Sequence, residues 1–300
     1  MKFGFVLPCR SWEPIDVESV GRTAELAERL GFDDLWVTSN TLDDSFSFEA
    51  ITVLSYAAAR TTRIRLGVSV IVLPLHHPVH VAHQVATLDY LSGGRALLGV
   101  GLGRAPHYAD FQVPLEHRVR RFTEGVELIK ALWTRPQTKY HGRIFQVEAG
   151  MAIKPVQKPH PPLWFGGGHP DALRRAARMA DGWMGAGGQS KADFQKAVPL
   201  LRQSLEEAGR NPASFTISKR VFMAIHANPE VAREEALRWF AGVYHNPAML
   251  ETHGFYGTPS QAAEYVRELE ALGADHVLLN PIARYEEQAL ALADALHLPR

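Results

Sequence analysis

A single cysteine, Cys9, is the only thiol in the 300-residue chain, so no disulfide can form within it. That fits a reducing compartment and points to the cytoplasm. The chain also has no prevailing sign of charge: Lys plus Arg and Asp plus Glu number 32 each. No global field is available to gather nucleic acid or an anionic membrane surface. Apolar runs stay well short of the roughly 20 residues of a membrane span. The opening MKFGFVLPCRSWEP has too short an apolar part for a signal peptide and reads as a strand. Gly-x-Ser-x-Gly is absent, which argues against the nucleophile elbow of an α/β-hydrolase.

What is present is alternation. Apolar, β-branched runs at Phe3–Leu7, Asp34–Thr38, Ile64–Leu73, Ala96–Val100, Leu163–Phe165, Gly182–Ala186, Phe215–His226 and Asp275–Leu279 read as strands. Amphipathic segments between them read as helices: Val17–Leu30, Phe48–Arg60, Pro78–Leu91, His117–Trp133, Asp171–Met179, Ala192–Ala208, Pro229–Val243, Pro259–Leu272 and Glu286–Leu296. Strands separated by helices imply parallel neighbours joined by crossovers. The number of strands favours a closed (β/α)8 TIM barrel over an open sheet, and the length suits one barrel of about 250 residues with insertions. The pattern predicts one domain over 1–300, with an excursion at about 134–162 containing a short extended piece at Arg143–Val147.

In such a barrel the chemistry sits on the loops that follow the strands. Gly99-Val100-Gly101-Leu102-Gly103 lacks the spacing of a dinucleotide fingerprint, because Arg104 stands where its third glycine belongs. Its glycines read as relief of crowding at a strand end, or as a close approach for a flat ligand. Gly166-Gly167-Gly168-His169-Pro170-Asp171 runs from a strand straight into a helix, which bares N–H groups for a phosphate. The alternative reading is a flexible turn with Asp171 as the cap. His76, His77, His80 and His83 cluster without a carboxylate or thiolate nearby and read as surface and helix-start residues rather than metal ligands. Asp43, Asp44 and Glu49 read as solvent-facing or capping groups. Cys9 lies at the end of strand one as a pocket wall rather than a nucleophile. Lys191 could hold an anion at the mouth.

Four segments in order resemble the luciferase-like oxidoreductases. They are Leu88-Asp89-Tyr90-Leu91-Ser92-Gly93-Gly94-Arg95 with the glycines after it, Lys154–Trp164 with the triglycine and Ala180-Asp181-Gly182-Trp183, Ile71–Pro78, and Gly257-Thr258-Pro259. The resemblance, most similar to the deazaflavin branch, implies a TIM barrel that binds coenzyme F420, or FMN as the alternative. It implies that Ser69 and Val70 form a bulge, often with a cis peptide, behind the cofactor ring. Gly166, Gly167, Gly168 and His169 would hold the phosphate, Lys191 would meet the acidic tail of the deazaflavin, and Arg104 and His107 would face the ring or substrate. Where the family usually shows an acid followed by His, this chain has Ser39-Asn40. Asn40 can hydrogen-bond a ring carbonyl but cannot transfer a proton. His107 is then the expected proton donor, with His76 or His77 behind it, and Arg104 favours an anionic substrate or a developing negative charge.

The implied activity is deazaflavin-dependent hydride transfer with a small organic substrate. An FMN-dependent monooxygenase fed by a partner reductase is the alternative, and a flavin-binding protein without turnover is the reading from another class. The resemblance also implies a homodimer.

Overall fold

The computed structural model describes residues 1–42 and 44–299, so Asp43 lies outside the described residues. The chain opens with β1 (Lys2–Val6), β2 (Arg10–Ser11), α1 (Val17–Arg29), β3 (Asp34–Val37), β4 (Phe46–Ser47), α2 (Ala50–Arg60), β5 (Arg65–Val72), α3 (Pro78–Leu91) and β6 (Ala96–Gly101). It continues through α4 (Ala105–Asp110), α5 (Arg118–Thr134), β7 (Thr138–His141), β8 (Gln146–Ala149), β9 (Leu163–Gly166), α6 (Pro170–Met179), β10 (Gly182–Gly185) and α7 (Lys191–Glu207). It ends with β11 (Thr216–Ile225), α8 (Pro229–Tyr244), α9 (Leu250–His253), β12 (Gly254–Gly257), α10 (Pro259–Ala271), β13 (His276–Pro281) and α11 (Tyr285–Ala295).

The main sheet runs β10-β9-β6-β5-β3-β1-β13-β11-β12, and β10 also pairs with β11. That extra pairing closes the ring and leaves β12 outside it: a (β/α)8 TIM barrel. Every ring pairing is parallel. Strands β3, β6 and β13 are buried along their whole length, as parallel strands covered on both faces must be. The crossover helices start on local caps. Asp16, Glu49, His77, Ser190 and Asn228 each accept a first-turn N–H, and Thr258 with Gln261 forms a capping box. Among the described residues no helix is long and apolar enough to cross a membrane.

Two stretches differ from expectation. The excursion holds an antiparallel hairpin, β7 with β8, and Arg143–Val147 is not one extended piece. Arg143 and Ile144 form the bend, because the Glu124 carboxylate of α5 accepts the N–H groups of Arg143, Ile144 and Phe145 at 3.0, 2.8 and 3.2 Å. Asp89 fastens the returning chain, accepting from the N–H groups of Val156 (2.7 Å) and Gln157 (3.0 Å) and the Gln157 side chain (2.6 Å). Glu124→Ala leaves three N–H groups without their acceptor and is expected to cost roughly 1–3 kcal/mol. Hydrogen–deuterium exchange should then rise across β7 and β8 while the barrel strands stay protected; unchanged exchange in the hairpin would contradict the anchor.

The second stretch, His245–Tyr256, falls outside every strand and helix expected from the sequence but contains α9 and most of β12. β12 pairs with β11 at Phe222–Ile225, whereas β10 pairs with β11 lower down, at Thr216–Lys219. β12 therefore extends the wall above β10.

Candidate active site

A cavity of about 540 Å³ opens where β5, β6, β9, β10 and β11 end. One wall is the bulge in β5. The Ser69–Val70 peptide is cis, and the register with β6 shifts between Val68 and Ile71. Val70 is turned towards Gly99, Gly101 and Gly166, where any added Cβ would press on its methyl groups. Gly99 is under the tightest constraint, since its Cβ would also run into the Val68 carbonyl. Gly99 and Gly101 are thus explained by close packing against the bulge, and Gly103 by its φ of 69° and the Val72 side chain beside it. Ser69 Oγ donates to Met184 Sδ at 3.0 Å across the same end.

The triglycine loop lines the opposite end. Gly167 takes φ of 118°, a backbone state that side chains rarely adopt, and its carbonyl accepts from Trp183 Nε1 at 2.7 Å. The first-turn N–H groups of α6 are already satisfied. Asp171 N donates to His169 Nδ1 at 3.2 Å, and Ala172 N and Leu173 N donate to the His169 carbonyl. The helix cap is therefore His169, not Asp171. The N–H groups of Gly168 and His169 have no partner among the described residues. Arg118 from α5 and Arg175 from α6 line this end too, and neither guanidinium has an ion-pair or hydrogen-bond partner among the described residues. Burial lowers the Arg175 pKa, and Arg178 and Arg118 press in the same direction against the pull of Asp171. Asp171 itself turns to Arg174, at 2.9 Å. Unsatisfied N–H donors with two unneutralised guanidiniums make a seat for a phosphate-sized anion.

The structure places the residues singled out from sequence in two groups. Ser69, Val70, Gly166, Gly167, Gly168 and His169 line the cavity. Ser39, Asn40, Arg104, His107 and Lys191 do not. Asn40 Nδ2 donates to Thr38 Oγ1 (3.1 Å), Arg104 is exposed before α4, and His107 lies within that helix. Lys191 opens α7 rather than preceding it, is paired to Glu268 at 2.5 Å and lies over the Tyr265 ring at 5.0 Å. Glu49 caps α2, and exposed Asp44 lies 3.7 Å from His245. His77 caps α3, and among the described residues no three His, Cys, Asp or Glu side chains converge on a metal position. Burial pushes the Cys9 thiol pKa up, so it stays neutral.

Arg118, Arg175 and Arg220 escape a motif reading. Arg220 and Lys219 do leave a signal: adjacent cations inside an otherwise buried strand. Burial, with the nearby Arg220 charge, lowers Lys219 to about 7. Its ammonium donates to the carbonyls of Ala186, Gln189 and Arg220 at 2.7, 2.7 and 2.9 Å, tying the loop after β10 to β11. Arg220 reaches the cavity beside Ser69 and Met184, held by Asn280 Oδ1 at 2.9 Å from its Nε.

A Ser-His-Asp series also exists, at the other end of the barrel. Ser218 Oγ lies 2.7 Å from His276 Nδ1, and His276 Nε2 lies 2.9 Å from Asp34 Oδ1. All three side chains are fully buried where β3 and β13 begin, with no opening to solvent. The series is a structural plug under the barrel, consistent with the absent nucleophile elbow.

A sequence profile described as luciferase-like monooxygenase matches residues 1–273. An F420-dependent glucose-6-phosphate dehydrogenase from Kineococcus radiotolerans is 27% identical over 251 residues, 80% of this chain and 72% of the relative. A 5,10-methylenetetrahydromethanopterin reductase from Archaeoglobus fulgidus is 30% identical over 248 residues, 81% of this chain and 71% of the relative. A crystal structure of a monooxygenase from Streptomyces bottropensis superposes with a TM-score of 0.84 at 23% identity, covering 99% of both chains.

Proposed function

Because this chain belongs to the luciferase-like monooxygenase family and is an oxidoreductase, we propose that it is a deazaflavin (F420)-dependent enzyme acting on a small organic substrate. The observation that carries the reading is one cavity joining the N–H groups of Gly168 and His169 and two arginines to the bulged wall at Ser69–Val70. The residues fit the cofactor: Arg118, Arg175 and the N–H groups of Gly168 and His169 match a phosphate, and Val70, Leu102 and Met184 supply apolar surface for a ring. When bound, the deazaflavin supplies a carbon that accepts or donates hydride. Val70 and the glycines behind it fix how deep a planar group can lie. Trp183 holds the triglycine carbonyl, and Lys219 holds the neighbouring loop, so the anion seat is formed before anything binds. The name of the Kineococcus relative supports the choice of cofactor.

One observation favours FMN as a second reading. Lys191, expected to meet the acidic tail of the deazaflavin, is already neutralised by Glu268. A fluorescence titration of the purified protein with F420 and with FMN separates the two. Tighter binding of F420, without oxygen consumption by the reduced complex, is expected. Tight FMN binding with rapid oxygen uptake and no affinity for F420 would overturn the proposal.

A further inference from the structure

Under the mouth, a second cavity of only about 10 Å³ is lined by Cys9, Thr38, Arg220, Trp239, Asn280 and Tyr285, among others. Arg220 also lines the large cavity, so its side chain borders both spaces. Among the described residues the lining of the small chamber includes two arginines, Arg10 and Arg220, and no carboxylate. Trp239 is 4% exposed, and its indole Nε1–H has no hydrogen-bond partner among the described residues. A buried N–H without an acceptor is costly. Arg220 gives Nε and one Nη2 proton to Asn280 Oδ1, which leaves Nη1 unengaged. Among the described residues the largest charge influences on Arg220 come from Tyr244, Cys9, Arg10 and Tyr285, none of them a carboxylate. Burial keeps the Cys9 thiol and the Tyr285 phenol protonated, so neither supplies a counter-charge.

A half-buried guanidinium without a carboxylate partner among the described residues is a ready place for an anion. Volume decides which one. A space of about 10 Å³ holds roughly one water-sized atom group. A phosphate does not fit, whereas one oxygen of a planar carboxylate does.

We propose that Arg220 and the Trp239 indole N–H form a carboxylate subsite, and that the substrate is an organic acid whose carboxylate docks there. This rests on the cofactor reading above, in which the large cavity takes the redox group. It places substrate recognition on β11 and α8, not on Arg104.

The test uses protein labelled with 15N at its tryptophans, titrated with benzoate and with its neutral isostere benzamide. Benzoate is expected to move, saturably, the one indole N–H resonance that Trp239→Phe removes; benzamide is expected to leave it in place. Arg220→Met should weaken benzoate binding by about tenfold or more. Arg220→Lys, which keeps the charge should the first variant fail to fold, should bind benzoate with intermediate affinity. Equal responses to benzoate and benzamide, or wild-type benzoate affinity in both Arg220 variants, would overturn the subsite. Cofactor affinity is read separately in the same variants. If Arg220→Met weakens the cofactor as much as benzoate, Arg220 serves the ring and the subsite falls. If wild-type protein binds benzoate at Trp239 but neither F420 nor FMN, the cofactor reading falls and the subsite stands.

Discussion

Replacing Asp34 with alanine is expected to lower the stability of the barrel by roughly 3–5 kcal/mol, the usual cost of removing one partner from a buried charged pair. Asp34 is fully buried at the start of β3 and accepts from His276, from Arg65 at 2.8 Å and from the Trp36 indole. These groups come from β3, β5 and β13, and Ser218 of β11 extends the chain of contacts. Removing the carboxylate leaves the fully buried His276 without that partner and takes one from the half-buried Arg65. Urea unfolding at neutral pH measures the loss, and an effect under about 1 kcal/mol would show that the plug is replaceable packing. The pH dependence has a definite sign. Burial alone would raise the Asp34 pKa, but attraction to His276 and the hydrogen bonds hold it at about 2. A depressed carboxyl pKa adds stability that is complete above the ordinary value near 4 and is lost as pH falls towards 2. For this shift the contribution is about 2 kcal/mol. The stability gap between wild type and Asp34→Asn should therefore narrow by that amount between about pH 4 and pH 2. A gap that stays constant would assign the effect to packing alone.

The plug also shows what a one-dimensional reading can reach. Strand positions were legible because most of the barrel strands are largely buried and rich in apolar residues, and the helices announce themselves by period and caps. The triglycine loop was legible because three consecutive glycines before a helix have few structural uses. Asp34, Ser218 and His276 were not, since they lie far apart in sequence and meet only when the ring closes. The same holds at the mouth. Arg118 stands at the start of a helix with no motif around it, and crossover geometry alone brings it beside Arg175. Lys191 was legible as a cation near the mouth, but its neutralising partner, Glu268, lies on α10, far along the chain. β12 was missed because Gly254–Gly257 has two glycines in four residues, a poor strand signal, and forms a strand only against the upper part of β11, beyond its pairing with β10.

Changing both Arg118 and Arg175 to glutamine is expected to weaken cofactor binding by about a hundredfold, from charge-assisted hydrogen bonds of roughly 1.5–3 kcal/mol each that are not fully additive. The loss should be confined to ligands that carry the phosphate. A deazaflavin lacking it should bind the double variant and the wild type alike, because the ring wall at Ser69–Val70 is untouched. Added salt should weaken phosphate-ligand binding to wild type more than to the variant, in keeping with screening of a partly exposed cluster. Stability should not fall. Neither arginine has a partner to lose among the described residues, and the proximity of Arg118 is one of the influences that lower the Arg175 pKa. Paired cations kept close without a counter-ion destabilise the empty protein, so the double variant should melt at the same temperature as wild type or above it. A variant that melts lower and loses both ligands equally would mean that the arginines hold the loop rather than the phosphate.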